Sequence, residues 1–384
     1  MEYFLTEQQK MVKDLARKIS EERIKPIRAE LDEKEEFPWA IVKDLAEADM
    51  FRVFLPEKYE GLGGGCLDLC LVVEELSRVC GGIAVTYAAS ALGSFTLMDY
   101  GSEELKQKYL PDIAGGKGLS AFALTESTAG SDASAIRTTA DRVDGGYLIN
   151  GTKQFITNGG EAELYTVIAL TDKSRGPRGA SAFTVEKGAE GFSFGKKEKK
   201  MGIRASSTRE LIFRNCFVPE GNLIGREGMG FIMTMKLLDR SRPGIGAQAV
   251  GLAQGAMELA VEYAGERVQF GQALISMPVV QDMLADMAIQ VEAARALVYA
   301  TAKAIDGGVK DFTEASAMAK VFASDMAMKV TTEAVQICGG AGYMRDYPVE
   351  KMMRDAKITQ IYEGSNQVLR NVVANSLRKR KAKA

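Results

Sequence analysis

A chain of 384 residues, 46% hydrophobic and 26% charged, has an ordinary globular composition and is long enough to bury a large core in two or three domains. Its net charge of −2 argues against nucleic acid as the main partner, and no apolar run is expected to reach the roughly 18 residues of a membrane span. The sequence contains 0 histidine, which removes Ser-His-Asp and Cys-His catalysis and the usual histidine-ligated zinc or iron sites, so acid–base chemistry must rest on Glu, Asp, Lys, Tyr or a cofactor.

Met1 to Thr6 passes directly into an amphipathic pattern without signal or transit character. Cys66, Cys70, Cys80, Cys216 and Cys338 form no CxxC pair and read as free, mostly buried thiols of a reducing compartment, so a cytoplasmic location is expected.

Residues 1–118 carry helical spacing, with Met11, Leu15 and Ile19 leading it and a break at Phe37-Pro38. Gly81 to Met98 contains no charged side chain, which fits either a core helix or the wall of an apolar pocket. Over residues 119–228 the pattern becomes short runs and turns, such as Ser120–Leu124, Leu164–Leu170 and Ala180–Val185. Asp144-Gly145-Gly146 and Asn150-Gly151 read as hairpin punctuation, and a small antiparallel β domain is expected. Residues 229–384 return to long helices over Phe231–Phe270, Val279–Ile305, Phe312–Ile337 and from Asn366 to about Leu377. The fold class is therefore mostly α with a β insert: an N-terminal helical domain, a central antiparallel β domain and a C-terminal four-helix bundle. The basic tail Arg378–Lys383 reads as a solvated, frayed end.

Two stretches carry candidate chemistry. Gly244-Ile-Gly246-Ala-Gln-Ala249 fits G-x-G-x-x-A, but it follows Pro243 in a helical region with no strand before it, so close helix packing explains it better than a dinucleotide fingerprint. Near the C-terminus, Glu363 sits on an apolar shoulder of Ile361 and Tyr362 and is followed by Gly364. Such a carboxylate either complements a helix start or, if shielded from water, has its pKa raised and serves as a general base.

The run Arg354-Asp-Ala-Lys-Ile-Thr-Gln-Ile-Tyr-Glu-Gly364 resembles the C-terminal signature of the acyl-CoA dehydrogenases, and the likeness extends over nearly the whole chain. The loop Leu124-Thr-Glu-Ser127-Thr-Ala-Gly-Ser131-Asp132 resembles the family's loop between flavin and acyl-CoA, with Ser127 where proline is usual, which implies a less rigid loop. Asn150–Gly159 matches the family's second flavin strand. The resemblance implies FAD as cofactor, touched by Phe122, Leu124, Thr125, Phe155, Thr157, Ser365 and Gln367. It further implies that Arg267, Gln269, Phe270, Gln281, Gln336, Gly339 and Gly340 grip its adenosine diphosphate half, some of them in a neighbouring subunit of a homotetramer. Acyl-CoA would meet Ser131, Asp239, Arg242, Tyr362 and Gly364.

In such a family member Glu363 takes the α-proton of a thioester while the β-carbon gives a hydride to flavin N5, and an electron-transferring flavoprotein collects the electrons. Some members carry that Glu near Ser241 instead; a serine there places this chain in the larger branch. A short straight acyl chain is the first expectation, an alicyclic acyl-CoA such as cyclohexanecarboxyl-CoA the second. The rival readings are an acyl-CoA oxidase and a helical scaffold without chemistry.

Overall fold

Three blocks of secondary structure follow one another in the computed structural model, which describes residues 3–383; Met1, Glu2 and Ala384, at the ends of the first and last expected segments, lie outside it. The first block holds α1 (Glu7–Ile19), α2 (Arg28–Lys34), α3 (Trp39–Glu47), α4 (Cys66–Ser77), α5 (Gly81–Tyr100) and α6 (Glu103–Ala114). Thr6 starts α1 through a capping box: its hydroxyl accepts from the Gln9 N–H and the Gln9 side chain accepts from the Thr6 N–H, both at 3.1 Å.

The middle block runs through β1 (Ser120–Ala123), β2 (Thr139–Val143), β3 (Gly146–Thr157), β4 (Leu164–Leu170), β5 (Ala180–Glu186), β6 (Phe192–Lys197), β7 (Thr208–Pro219) and β8 (Leu223–Ile224). They form one sheet in the order β6-β7-β3-β2-β4-β5-β8, with β1 on β4. The sheet is mostly antiparallel, but β1 pairs with β4 in parallel, because the long segment between them crosses over instead of folding back as a hairpin. Asp144-Gly145-Gly146 does turn the β2–β3 hairpin, with Gly145 at φ 76°. Asn150-Gly151 does not: it lies inside β3, where the pairing with β7 slips a register and Gly151 takes φ 147°. This is a bulge, and Gly is needed because a Cβ there would sit 2.5 Å from the Thr138 hydroxyl.

The third block holds α7 (Gly230–Glu266), the β9–β10 hairpin (Val268–Gln269, Gln272–Ala273), α8 (Pro278–Asp306), α9 (Thr313–Tyr343), α10 (Val349–Ala356) and α11 (Asn366–Lys383). Helix α7 packs on α9, α8 and α4, and α11 packs on α9. The basic tail continues α11, where Arg380 pairs with Glu314. The sequence expectations do not single out helix α10 within the helical C-terminal block, although its buried Val349, Met352 and Ala356 recur at helical spacing.

Gly244–Ala249 lies in the middle of α7, so it has no strand-to-helix turn for a pyrophosphate. The small residues of α7 serve packing: a Cβ on Gly251 would lie 2.2 Å from the Glu74 carbonyl oxygen, and one on Gly255 1.9 Å from that of Arg78. Gly255→Ala is therefore expected to force α7 off α4 and to destabilise the fold by about 1–3 kcal/mol, read as a lower midpoint in denaturant unfolding.

Helix α5 corrects the expectation about apolar length. Gly81–Tyr100 is long and apolar enough to cross a membrane by length and composition, yet 83% of its most apolar 18-residue window is buried inside the fold. One face takes the sheet: the Ser120 N–H donates to the Ser90 hydroxyl (3.1 Å), the Thr166 hydroxyl to the Gly93 carbonyl (2.8 Å), and a Cβ on Gly93 would stand 2.6 Å from the Ala121 nitrogen. The other face, with Ala88, Ala89 and Leu92, lines a cavity. Both readings of this uncharged run hold, on different faces.

Candidate active site

The centre of the site is the turn between α10 and α11. Glu363 and Gly364 both have positive φ, 51° and 99°, and Asn366 then starts α11. A left-handed glutamate costs roughly 1–2 kcal/mol, so neighbours must hold it there. From α9, the Lys320 ammonium donates to the Gly364 carbonyl (2.8 Å) and to Asn366 Oδ1 (2.9 Å), while Asp325 Oδ1 accepts from Gln360 (2.6 Å) and Asn366 (2.8 Å). From α7, Arg242 Nε donates to the Glu363 carbonyl at 3.3 Å, and the Ser241 hydroxyl donates to Glu363 Oε2 at 2.5 Å. The Tyr362 hydroxyl bonds Gln248, whose amide in turn donates to the Gly81 carbonyl at 3.2 Å, tying the turn to the start of α5.

Burial pushes the Glu363 carboxyl above its usual range; the Ser241 hydrogen bond, the Arg242 charge and the Lys320 charge oppose that rise in that order. Ser241→Ala removes the largest of these opposing effects. The acid limb of any reaction that uses Glu363 as a base is then expected to move up by roughly half a pH unit or more, measured as rate against pH.

Glu363 opens into a cavity of about 300 Å³. Its walls are Val85, Ala88, Ala89 and Leu92 of α5, Met235, Leu238 and Ile245 of α7, and Val368 and Val372 of α11. The sheet side contributes Phe122, Leu124, Thr125, Phe155 and Thr157, and Gly130 and Ser131 lie at the loop. Ten residues singled out in the sequence are thus gathered around one space: these five, with Ser131, Arg242, Tyr362, Glu363 and Gly364. Asp239 is one turn back on α7, paired with Arg242 and accepting from the Thr313 hydroxyl at 2.6 Å. A second cavity, about 330 Å³, shares Phe155, Thr157 and Tyr362 and continues over Met201, Gly202, Ile203, Ile358 and Ile361.

The other residues are not brought there. Arg267, Gln269, Phe270, Gln281, Gln336, Gly339, Gly340 and Gln367 are exposed, Phe270 at 94%. Gly339 kinks α9 at φ 56°, and a Cβ on it or on Gly340 would meet nothing within 4 Å, so the backbone there is open to a close approach. Ser365 stays in the turn, its hydroxyl accepting from the Val368 N–H at 3.4 Å.

The loop after β1 is better anchored than Ser127 suggests. Glu126 is buried and accepts from the Arg137 N–H (2.7 Å), the Thr138 N–H (3.0 Å) and the fully buried Lys153 ammonium (2.7 Å), which also donates to the Leu124 carbonyl at 2.9 Å. Burial lowers Lys153 to about 8, with Glu126 opposing the shift. Sequence reasoning assigned no role to Glu126, Lys153, Gln248, Lys320 or Asp325. A signal exists for Lys320, which shares the buried face of α9 with Ser316, Ala323 and Ala327 at helical spacing.

The comparisons agree along the whole chain. The N-terminal, middle and C-terminal domains of acyl-CoA dehydrogenase match residues 6–117, 121–216 and 228–378. A short-chain-specific acyl-CoA dehydrogenase of Clostridium acetobutylicum is 46% identical over 98% of this chain and 100% of its own. A cyclohex-1-ene-1-carbonyl-CoA dehydrogenase of Geobacter metallireducens is 47% identical over 97% and 98%. Among solved structures, butyryl-CoA dehydrogenase from Megasphaera elsdenii superposes with a TM-score of 0.96 at 45% identity, covering 98% of this chain and 100% of that one. A chain in a structure of the electron transferring flavoprotein of Acidaminococcus fermentans, concerned with flavin-based electron bifurcation, also gives 0.96, at 50% identity over 98% and 99%.

Proposed function

The chain belongs to the acyl-CoA dehydrogenase family of oxidoreductases, and from that premise we propose that it converts a short-chain acyl-CoA to the trans-2-enoyl-CoA, with Glu363 as the base. The observation that carries this reading is a half-buried carboxylate of raised pKa facing an apolar cavity of about 300 Å³. A base removing a weakly acidic C–H near neutral pH needs its proton affinity raised, and burial supplies that.

FAD, when bound, supplies the acceptor for the β-hydride. The two adjoining cavities suit the flat isoalloxazine ring of such a cofactor, since Phe155, Thr157 and Tyr362 border both. The second continues over the apolar Met201, Ile203, Ile358 and Ile361 and is also lined by Glu198, Lys199, Lys200, Arg354 and Lys357, which suit the more polar parts of the molecule. Phe122, Leu124 and Thr125 would hold it from the loop side, and Ser365 and Gln367 from the start of α11. The chain itself does the rest. Glu363 would take the α-proton onto its carboxylate, and its backbone N–H would stabilise the thioester oxygen as negative charge develops there, worth about 3 kcal/mol for one such donor. The apolar side chains of α5, α7 and α11 exclude water from the acyl group.

Among the described residues, Arg242 is the only charged side chain lining that cavity apart from Glu363 itself. It is already engaged by Asp239 and the Glu363 carbonyl, which leaves no free cation for an acyl tail ending in a carboxylate. An uncharged acyl group fits such a lining, and a short straight chain such as butyryl is our first reading. A cyclic acyl group is the second reading, favoured by the small Ala88 and Ala89 on the cavity wall and by the Geobacter relative. Ser131, Asp239 and Arg242 would meet the CoA arm.

The electrons would leave to an electron-transferring flavoprotein, a reading supported by the Acidaminococcus structure. The exposed Arg267, Gln269, Phe270, Gln281, Gln336, Gly339 and Gly340 would complete a neighbouring subunit's cofactor site in a homotetramer, and the exposed Val268, Phe270, Tyr343 and Met344 supply apolar surface for that assembly. Residues 1–118, 119–228 and 229–384 would be its three domains. All five thiols are unpaired and buried, in keeping with a reducing compartment such as the cytoplasm.

The test is an anaerobic absorbance titration of purified protein with butyryl-, isobutyryl-, glutaryl-, cyclohexanecarboxyl- and octanoyl-CoA. Butyryl-CoA is expected to bleach the flavin band most; the best bleacher names the substrate class. A protein that takes up no FAD sinks the enzyme reading, and rapid reoxidation of the reduced flavin by O2 would point to an oxidase.

A further inference from the structure

Lys320 is the one ammonium on the buried face of α9, with no exposed surface, and it lies outside every motif that identifies the family here. Both acceptors it holds, the Gly364 carbonyl and the Asn366 side-chain oxygen, are neutral and belong to the turn that presents Glu363. Taking an ammonium out of water is costly, and neutral acceptors offset that less well than a carboxylate does. An apolar residue would pack α9 against the turn without that cost. The group that gains from the charge is the base one residue before Gly364.

Resting on the proposed dehydrogenation, we propose that Lys320 is a positioning residue for it: its ammonium pins the left-handed Glu363–Gly364 turn through the Gly364 carbonyl and, as a buried positive charge, holds down the proton affinity of the base. The surroundings bear this out from each side. Glu363 is faced by Ser241 and Arg242 from α7, the latter paired with Asp239, and by Lys320 from α9. Helix α5 presents only Val85, Ala88, Ala89 and Leu92 to the cavity. Lys320 in turn faces Glu363, Arg242 and Asp325, and Asp325 is itself engaged by Arg370. Burial lowers Lys320 to about 8, with Glu363 the largest opposing influence, so the two groups sense each other. Beyond the turn, Ser324 and Asp325 bind Asn366, so one face of α9 grips it from Gln360 to Asn366.

The experiment uses FAD-loaded protein and single-turnover flavin reduction by butyryl-CoA, followed from acid to neutral pH in wild type, Lys320→Met and Lys320→Gln. Met removes both donor and charge; Gln keeps a donor for the Gly364 carbonyl but no charge. In both variants the acid limb is expected to move up, by less than in Ser241→Ala, because a positive charge that favours ionised Glu363 is gone. The limiting rate should fall about 10-fold or more in Met and less in Gln, with apparent substrate affinity changed by less than about 3-fold. An acid limb that stays in place in the folded variants, whatever happens to the rate or the melting temperature, overturns the proposal and leaves Lys320 a packing residue. If Met does not fold, the Gln limb decides alone. Wild-type protein that no acyl-CoA reduces would instead overturn the dehydrogenase reading on which the proposal rests.

Discussion

Glu363→Gln is expected to give a protein that still binds FAD and still turns yellow, while its turnover with butyryl-CoA falls by roughly 10²–10⁴-fold, the share that a positioned general base contributes. The amide fits the same space and can keep the Ser241 hydroxyl as a neighbour, so the left-handed turn and the cavity are preserved. What is lost is the carboxylate that the proposed reaction uses to accept the α-proton. Because burial raises the Glu363 pKa, wild-type flavin reduction should decline on the acid side at a pH above the ordinary carboxylate range, and that limb should vanish in the variant. Stopped-flow absorbance at the flavin band measures both. Undiminished turnover would remove Glu363 from the mechanism.

Glu126→Gln is expected to be the most damaging single change to stability, costing about 3–5 kcal/mol, because it leaves the Lys153 ammonium buried without its counter-charge. The same change weakens the acceptor for the Arg137 and Thr138 N–H groups, so the loop carrying Leu124, Thr125 and Ser131 should loosen and flavin retention fall with it. Urea unfolding of the FAD-loaded protein, with flavin fluorescence read in parallel, follows both effects. Adding Lys153→Met should recover part of the loss, since the pair then goes as a unit. A single variant as stable as wild type would show that the pair does not hold the loop.

Much of this was legible in the sequence, for identifiable reasons. Helical spacing and turn residues mark out the three blocks, and Leu164–Leu170 is a strand with the same ends in both. Gly244–Ala249 could be dismissed as a nucleotide loop because a local rule, the strand before it, was missing. Asn150-Gly151 misled because the dipeptide is shared by hairpins and bulges; the choice is made by Thr138 and Asn215, distant in sequence. Glu363 stood out beside Tyr362 and Gly364, but those neighbours left a helix-start role open, and it was the resemblance of the run Arg354–Gly364 that favoured a base. Its partners Ser241, Arg242 and Lys320 are 122, 121 and 43 positions away from it by residue number, and no periodicity relates them. Buried pairs such as Glu126–Lys153 stay hidden for the same reason: each residue alone reads as surface charge, and only the packed fold shows that both are inside.

Helix α5 has one more consequence, for how the chain comes to be folded. Its twenty residues carry a single charge, at Asp99, and are covered by α4, α6, α7, α10 and the strands β1 and β4. Of these, α7 begins 130 residues after Tyr100 (230 − 100). At the usual 5–20 residues per second of synthesis, a growing chain leaves this helix without the cover of α7 for on the order of ten seconds. During that interval it has the sequence character of a bilayer segment with nowhere to insert, so part of its apolar surface is open to aggregation before the turn that carries Glu363 has even been translated.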